Sequence, residues 1–257
     1  MQLRLSLLLL PALFAGLVQA QTTTSTYEPT VGQEGKDVVW VPTPQAVVEK
    51  MLDMAKVTPQ DFVIDLGSGD GRTVITAAKR GARALGIEYN PDMVELSKRN
   101  AEKAGVAGRV NFVKADLFET DFSQASVITM FLLPEINLKL RPKILKLKPG
   151  TRVVSNSFTM GDWQADETSE VSASKGCENS WCTALLWIVP AQVGGTYKVG
   201  EDEVTLKQTY QMLSGTMRTG GKTFAVKGKV NGEEISFSAG GKQYKGRLNG
   251  KQLELAS

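Results

Sequence analysis

The sequence predicts an α/β protein: a doubly wound, Rossmann-like parallel sheet followed by a small antiparallel β domain. Three observations predict it. A glycine-rich turn, Gly67-Ser68-Gly69-Asp70-Gly71, follows the apolar run Phe62-Val63-Ile64. Strand-like runs and helical periodicities then alternate to about Val154, the pattern of a parallel sheet with helices on both faces. From about Gly194 short strand-like runs are punctuated by glycine, as in an antiparallel meander or small barrel.

The elements follow in order. Arg4 and the apolar stretch Leu5 to Leu17 precede Val18-Gln19-Ala20, a charged start, an apolar core too short for a comfortable span and small residues at a cleavage position. Residues 1–20 therefore read as a signal peptide cleaved after Ala20, with export to a periplasm or to the outside expected. An uncleaved N-terminal anchor is the second reading, and no further membrane-length segment follows. Residues 21–38 are polar, rich in Thr and Gly, and read as an extended arm. The main domain is expected over residues 39–190. Pro42-Thr43-Pro44 reads as a helix start with Thr43 as N-cap, either alone or with a ligand contact as well. A helix from Pro44 to Ala55 places Val47, Val48, Met51, Leu52 and Ala55 on one face. The next pieces are a strand through Val63, a helix from Arg72 to Arg80 stopped at Gly81, and a strand from Ala84 to Glu88. A helix from Pro91 to Ala104 and a strand from Val110 to Val113 come next. Val127 to Leu132 is apolar throughout, as a strand buried on both faces is.

Glu170 to Ser174 and Thr183 to Val189 are expected to pair, with Pro190 ending the unit. Over residues 194–257 the expected strands are Gly195 to Val199, Glu203 to Leu213, Thr223 to Val230, Glu234 to Ser238, Gln243 to Leu248 and Gln252 to Leu255. Asn231-Gly232 and Asn249-Gly250 suit tight hairpins. Val204, Leu206, Gln208, Tyr210 and Met212 alternate with polar partners along a single strand.

Composition bounds the chemistry. The chain has 257 residues, a formal charge of +3 and no histidine. Its basic residues are scattered rather than gathered into a stripe, so no nucleic-acid partner is expected. Cys177 and Cys182 are the only cysteines, and an oxidising compartment favours joining them. Two free thiols are the alternative. The spacing is not C-x-x-C, so no zinc or dithiol redox site is expected.

The glycine loop carries the functional signal. Its spacing is G-x-G-x-G rather than the dinucleotide-binding G-x-G-x-x-G. Asp65 precedes it and Asp70 lies within it, so the loop repels phosphate and favours a cationic or zwitterionic ligand, the charge logic of an S-adenosylmethionine site. Ligands of such folds sit at the carboxyl ends of adjacent strands. Glu88, ending the second strand, is placed to take ribose hydroxyls; Asp116, after the third, is placed to take an adenine amino group, with Leu117 covering the ring.

With those residues in view, the run from Val41 to about Trp163 resembles class I, seven-strand S-adenosylmethionine-dependent methyltransferases. Within them it is similar to the subgroup that includes the mitochondrial protein-lysine methyltransferases acting on the adenine nucleotide translocase and on the ATP synthase c subunit. The resemblance rests on Val41-Pro42-Thr43-Pro44, Asp65 to Arg72, Gly86-Ile87-Glu88-Tyr89-Asn90-Pro91, Phe131-Leu132-Leu133-Pro134, Arg152-Val153-Val154-Ser155 and Gly161-Asp162-Trp163. It covers about half of the chain and leaves the last quarter untouched. It implies a seven-stranded methyltransferase sheet, S-adenosylmethionine as co-substrate without a metal, and a protein side-chain amine, lysine favoured, as acceptor. The cofactor contacts it implies are Thr43, Asp65, Gly67, Ser68, Gly69, Asp70, Gly71, Glu88, Tyr89, Asp116, Leu117 and Phe131.

Many amino-group methyltransferases carry Asp/Asn-Pro-Pro-aromatic after the fourth strand. Here Phe131-Leu132-Leu133-Pro134 offers no polar ligand for the amine, and no catalytic residue is assigned. Phe131 reads as a wall of the donor pocket or as a plain core aromatic. The C-terminal β domain reads as a brace or as a docking surface for a partner. A second functional reading is an exported, non-catalytic module that binds a nucleoside-like ligand or a partner on a methyltransferase fold.

Overall fold

A computed structural model describes residues 27–178 and 180–256. The signal peptide expected over residues 1–20 and the first residues of the polar arm lie outside the described residues. Among the described residues no helix is long and apolar enough to cross a membrane.

The first unit is a seven-stranded sheet. Its elements are α1 (Gln45–Met54), β1 (Phe62–Leu66), α2 (Arg72–Lys79), β2 (Arg83–Glu88), α3 (Pro91–Lys103), β3 (Val110–Lys114), β4 (Val127–Met130), α4 (Pro134–Ile144), β5 (Arg152–Asn156), β6 (Glu167–Glu170) and β7 (Thr183–Ile188). The strand order is β3-β2-β1-β4-β5-β7-β6. The first five strands run parallel, while β7 runs antiparallel to β5 and β6 antiparallel to β7. Order reverses between β1 and β4, which puts the crevice at the carboxyl ends of β1, β2 and β4.

Both faces of the sheet are covered, and the strands show why they read as unbroken apolar runs. Val63, Val127 and Val154 turn to the side of α1, α2 and α3. Their neighbours Ile64, Ile128 and Val153 turn to the side of α4, where Phe122, Trp163 and Trp187 complete a second core. Period-two alternation thus feeds two cores from one strand. Asn90 caps α3, its side-chain oxygen accepting from Asp92 N–H at 2.9 Å, with Pro91 at the first helical position.

Some expected boundaries move. Thr43 is not the cap of α1: Pro44 holds that position and no side chain caps it. Glu170 to Ser174 is not a strand; β6 starts at Glu167, and a 3₁₀ turn occupies Ala173–Lys175. As an edge strand open to solvent, β6 carries no apolar run to mark it. Cys177 and Cys182 are joined by a disulfide within the β6–β7 connection.

The second unit is a seven-stranded antiparallel meander: β8 (Gly195–Val199), β9 (Asp202–Thr209), β10 (Met212–Thr219), β11 (Lys222–Asn231), β12 (Glu234–Ala239), β13 (Lys242–Asn249) and β14 (Gln252–Ala256). Its first and last strands lie against each other, so the sheet curls around a core that includes Val204, Leu206, Met217, Val226, Val230 and Phe237. The single strand expected over Glu203 to Leu213 is two strands. The chain reverses at Tyr210, whose φ is +52°, and the alternation breaks there: Leu206 is buried but Met212 is exposed.

That reversal ties the two units together. Gln211, buried, donates to the Gln164 carbonyl at 2.8 Å and accepts from Val230 N–H at 2.7 Å through its backbone carbonyl. Tyr210 stacks on Trp163 with ring centroids 6.0 Å apart, and its hydroxyl donates to Asp162 at 2.9 Å.

Candidate donor site

The glycine turn is built by backbone conformations that side chains resist. Gly67, Gly69 and Gly71 have φ of +78°, +53° and +81°, in the left-handed region. The turn crosses to β2, where Gly67 and Ser68 N–H both donate to the Ile87 carbonyl at 2.9 and 3.0 Å. Gly86 in β2 makes that approach possible, since a Cβ there would meet Ser68 Oγ and Phe112 Cδ1 at 2.5 Å.

Three carboxylates from adjacent strands face one cavity. Asp65 in β1, Glu88 at the end of β2 and Asp116 after β3 all line it, together with Thr43, Gly67, Ser68, Gly69, Asp70, Tyr89, Leu117 and Phe131. The cavity is an open cleft at the carboxyl ends of β1, β2 and β4, the place where doubly wound folds take their ligands. Gly71 is the exception among the expected contacts. It stands at the N-cap of α2, packed against Phe112 and Ser97, and serves the turn rather than the wall.

The acids differ in state. Asp65 is buried and accepts from the Thr129 hydroxyl at 2.6 Å. Burial pushes its carboxyl up to about 7; the Thr129 bond opposes the rise, and the charges of Glu88 and Asp70 add to it. Glu88 is pre-oriented, one oxygen accepting from Gly69 N–H and the other from Asn90 N–H, both at 2.9 Å. Asp116 accepts from Phe118 N–H at 2.8 Å and pairs with Lys36, whose ammonium holds the carboxyl below its usual range. Asp70, read in the sequence as part of the anionic field, is engaged by Arg72 at 2.6 Å. Its charge is therefore largely compensated, and the cationic preference of the cavity falls to Asp65 and Glu88.

One wall has little signal in the sequence. The stretch expected as an extended arm folds back, with Gly32 N–H donating to the Trp40 carbonyl and Trp40 N–H to the Gln33 carbonyl at 2.8 and 2.9 Å. This strap lays Gln33 to Val41 across the cavity mouth. Trp40 is so close to the glycine turn that a Cβ on Gly69 would meet its Nε1 at 2.6 Å. The run Val38-Val39-Trp40-Val41 ahead of Pro42 was the one sequence cue to a packed segment. Thr43 keeps a place in the wall, and its carbonyl accepts from Arg72 at 2.9 Å.

The residues present fit S-adenosylmethionine. A buried carboxylate short of cations matches an α-ammonium group, and Ser68 Oγ is buried without a partner among the described residues. An oriented carboxylate at a β2 end matches a vicinal diol, and the acid after β3 shares the cavity wall with the apolar Ala115 and Leu117. Among known proteins, the ANTKMT methyltransferase domain family matches residues 65–167. A protein-lysine N-methyltransferase from Saccharolobus islandicus is 50% identical over 52% of this chain and 85% of its own. The chain belongs to this family of class I methyltransferases.

Further relatives agree with that assignment. The human lysine N-methyltransferase of the ATP synthase C subunit is 32% identical to this methyltransferase over 60% of the chain and 70% of its own length. A crystal structure described as an RNA methyltransferase from Salinibacter ruber with S-adenosyl-L-homocysteine is 47% identical, covering 60% of this chain and 96% of that one, with a TM-score of 0.55. The methyltransferase uses S-adenosylmethionine, and its strand order is the frame on which the three acids converge.

Proposed function

We propose that this methyltransferase transfers a methyl group to lysine side chains of protein substrates outside the cytoplasm. What supports the reading is the convergence of Asp65, Glu88 and Asp116 on one cavity in a chain that is 50% identical, over 52% of its length, to a protein-lysine N-methyltransferase. Export rests on residues 1–20 reading as a signal peptide.

S-adenosylmethionine supplies a sulfonium methyl, whose carbon passes in line to a lone pair while the C–S electron pair stays on sulfur. The protein's contribution is placement, and positioning alone is worth ~7 to 11 kcal/mol of such a barrier. Asp65 receives the α-ammonium of the donor, Glu88 the two ribose hydroxyls and Asp116 the adenine amino group. Phe131 and Leu132 close the apolar side of the reacting end. Because a free lysine amine titrates near ~10.4, the acceptor must lose its proton before it reacts. Transfer to this apolar wall disfavours the charged amine, and the proton leaves to water.

Calorimetric titration with S-adenosylmethionine and S-adenosylhomocysteine, beside Glu88→Ala, tests donor binding. Tight binding by the wild type with a loss of about tenfold or more in the variant is expected; a wild type that binds neither compound would sink the reading. Labelled donor is then incubated with an envelope extract. Label on lysine supports the proposal, whereas label confined to RNA, the acceptor named for the Salinibacter relative, overturns it. Cell fractionation of tagged protein checks export, which fails if all of it stays in the cytoplasm.

A further inference from the structure

Beyond the donor cavity, three aromatic rings from three separate elements meet. Phe131 follows β4 and lines the cavity. Phe158 follows β5 and stacks on it with centroids 5.8 Å apart. Trp181, in the loop before β7, lies 5.9 Å from Phe131 and 5.1 Å from Phe158. All three are half-buried.

Two devices hold the rings there. Ser157, immediately before Phe158, has φ of +60°, an unusual conformation for a residue with a side chain and one that clusters at functional sites. The turn is fixed by Ser157 N–H donating to the Thr183 carbonyl at 2.7 Å and by Ser155 Oγ donating to the Phe158 carbonyl at 2.8 Å. Trp181 sits inside the small ring closed by the Cys177–Cys182 disulfide, which limits how far its backbone can move.

Their place in the sheet gives them a direction. The adenosine end of the cavity lies over β2 and β3, where Glu88 and Asp116 stand; Phe131, Phe158 and Trp181 lie at the other side, over the ends of β4, β5 and β7. An acceptor must reach the sulfonium methyl in line, opposite the sulfur, and the ring side of the cleft is the part that the adenosine end does not occupy. We propose that these three rings form the acceptor platform, taking the alkyl stem of a lysine along their edges and its amine, or the methylated ammonium that follows, over their faces. Stems of this kind bury readily on apolar surface, and ring faces attract ammonium and especially methylated ammonium groups. As the methyl moves, positive charge passes from sulfur to nitrogen, which is where the rings lie. This platform rests on the lysine reading above.

The test uses the full chain saturated with S-adenosylhomocysteine. The probes are a short glycine-flanked peptide carrying trimethyl-lysine and its neutral isostere, with a tert-butyl group in place of the trimethylammonium. The wild type is expected to bind the cationic peptide about tenfold tighter than the neutral one. Trp181→Ala and Phe158→Leu are expected to lose about tenfold, Trp181→Phe to keep most of the affinity, and reduction of the disulfide to weaken it about fivefold. S-adenosylhomocysteine binding should change by less than about twofold throughout. Equal binding of both peptides by the wild type, or variants that bind like it, would overturn the platform, as would a parallel loss of S-adenosylhomocysteine binding. Because the peptide arm needs no turnover, a wild type that binds the cationic peptide yet labels no lysine in the extract refutes lysine transfer while upholding the binding site.

Discussion

Lys36 and Asp116 form an ion pair across the mouth of the donor cavity, eighty positions apart in the chain. The Lys36 ammonium also lies 4.8 Å from the centre of the exposed Tyr89 ring. The strap therefore occupies the carboxylate that the adenine amino group is proposed to use.

A ligand that needs Asp116 has to displace Lys36, and removing an internal competitor raises apparent affinity. Lys36→Ala is expected to tighten S-adenosylhomocysteine binding by about two- to fivefold at low salt and to flatten its salt dependence. Calorimetry at two ionic strengths checks this. Weaker binding in the variant would mean that Lys36 holds the ligand rather than competes with it.

Asp65 makes the cavity sensitive to pH. Its carboxyl titrates at about 7 in the folded protein and 3.8 is its ordinary value, so the folded state binds this proton more tightly than the unfolded state. Stability is therefore lost as pH rises between those values. Asp65→Asn is expected to raise the melting temperature of the ligand-free protein at about pH 8 and to gain little below about pH 4. The same variant should weaken donor binding at high pH, because only the ionised carboxylate attracts an ammonium group. Scanning calorimetry and titration across this range test both halves; a melting difference that grows toward acid would contradict the assignment.

Gly86 gives a steric prediction. A methyl group there collides with Ser68 and Phe112, and overpacking of this kind costs ~1 to 3 kcal/mol. Gly86→Ala should lower the denaturation midpoint and weaken donor binding, because Ser68 belongs to the glycine turn. Gly105→Ala is the control: a Cβ there meets nothing within 4 Å, so only its φ of +71° is strained, and donor binding should survive.

The disulfide closes a short loop, and the expected loss on Cys177→Ser/Cys182→Ser is ~2 kcal/mol, the low end for such links. Chemical denaturation measures it. Peptide mapping of unreduced protein should recover the two cysteines on one linked fragment; two free thiols in exported protein would remove the compartment inference.

Much of the fold was readable because local signals coincide with tertiary roles. Glycines at alternate positions after Ile64 mark the turn, and acids at the ends of two later apolar runs mark strand ends, so Asp65, Glu88 and Asp116 could be placed in one cleft from spacing alone. What escaped depended on distant partners or on residues acting out of type. The first half of the strap, Gln33 to Asp37, is polar, and its ion pair lies eighty positions away in Asp116, so no periodicity marks it. Tyr210 takes the left-handed conformation that glycine usually supplies, which hid the reversal between β9 and β10. Asp70 reads as a free acid until Arg72, two residues on, is seen wrapped around it. Phe158 and Trp181 carried no signal at all, since rings that meet from separate strands have no common spacing.

The seam between the two units makes a final prediction. Gln211→Ala leaves the Gln164 carbonyl without its side-chain donor in a buried setting, at ~1 to 3 kcal/mol. Thermal melting should show both units losing stability together; a loss confined to the β unit would contradict the coupling.

The stacking of Tyr210 on Trp163 also limits modular engineering. The β unit cannot be swapped onto another methyltransferase by joining chains near Pro190 alone, because its footing includes the stretch from Asp162 to Asp166, upstream of the junction. A chimera would have to import that stretch as well, so the unit of exchange spans the edge of the first sheet and the β meander as a single cassette.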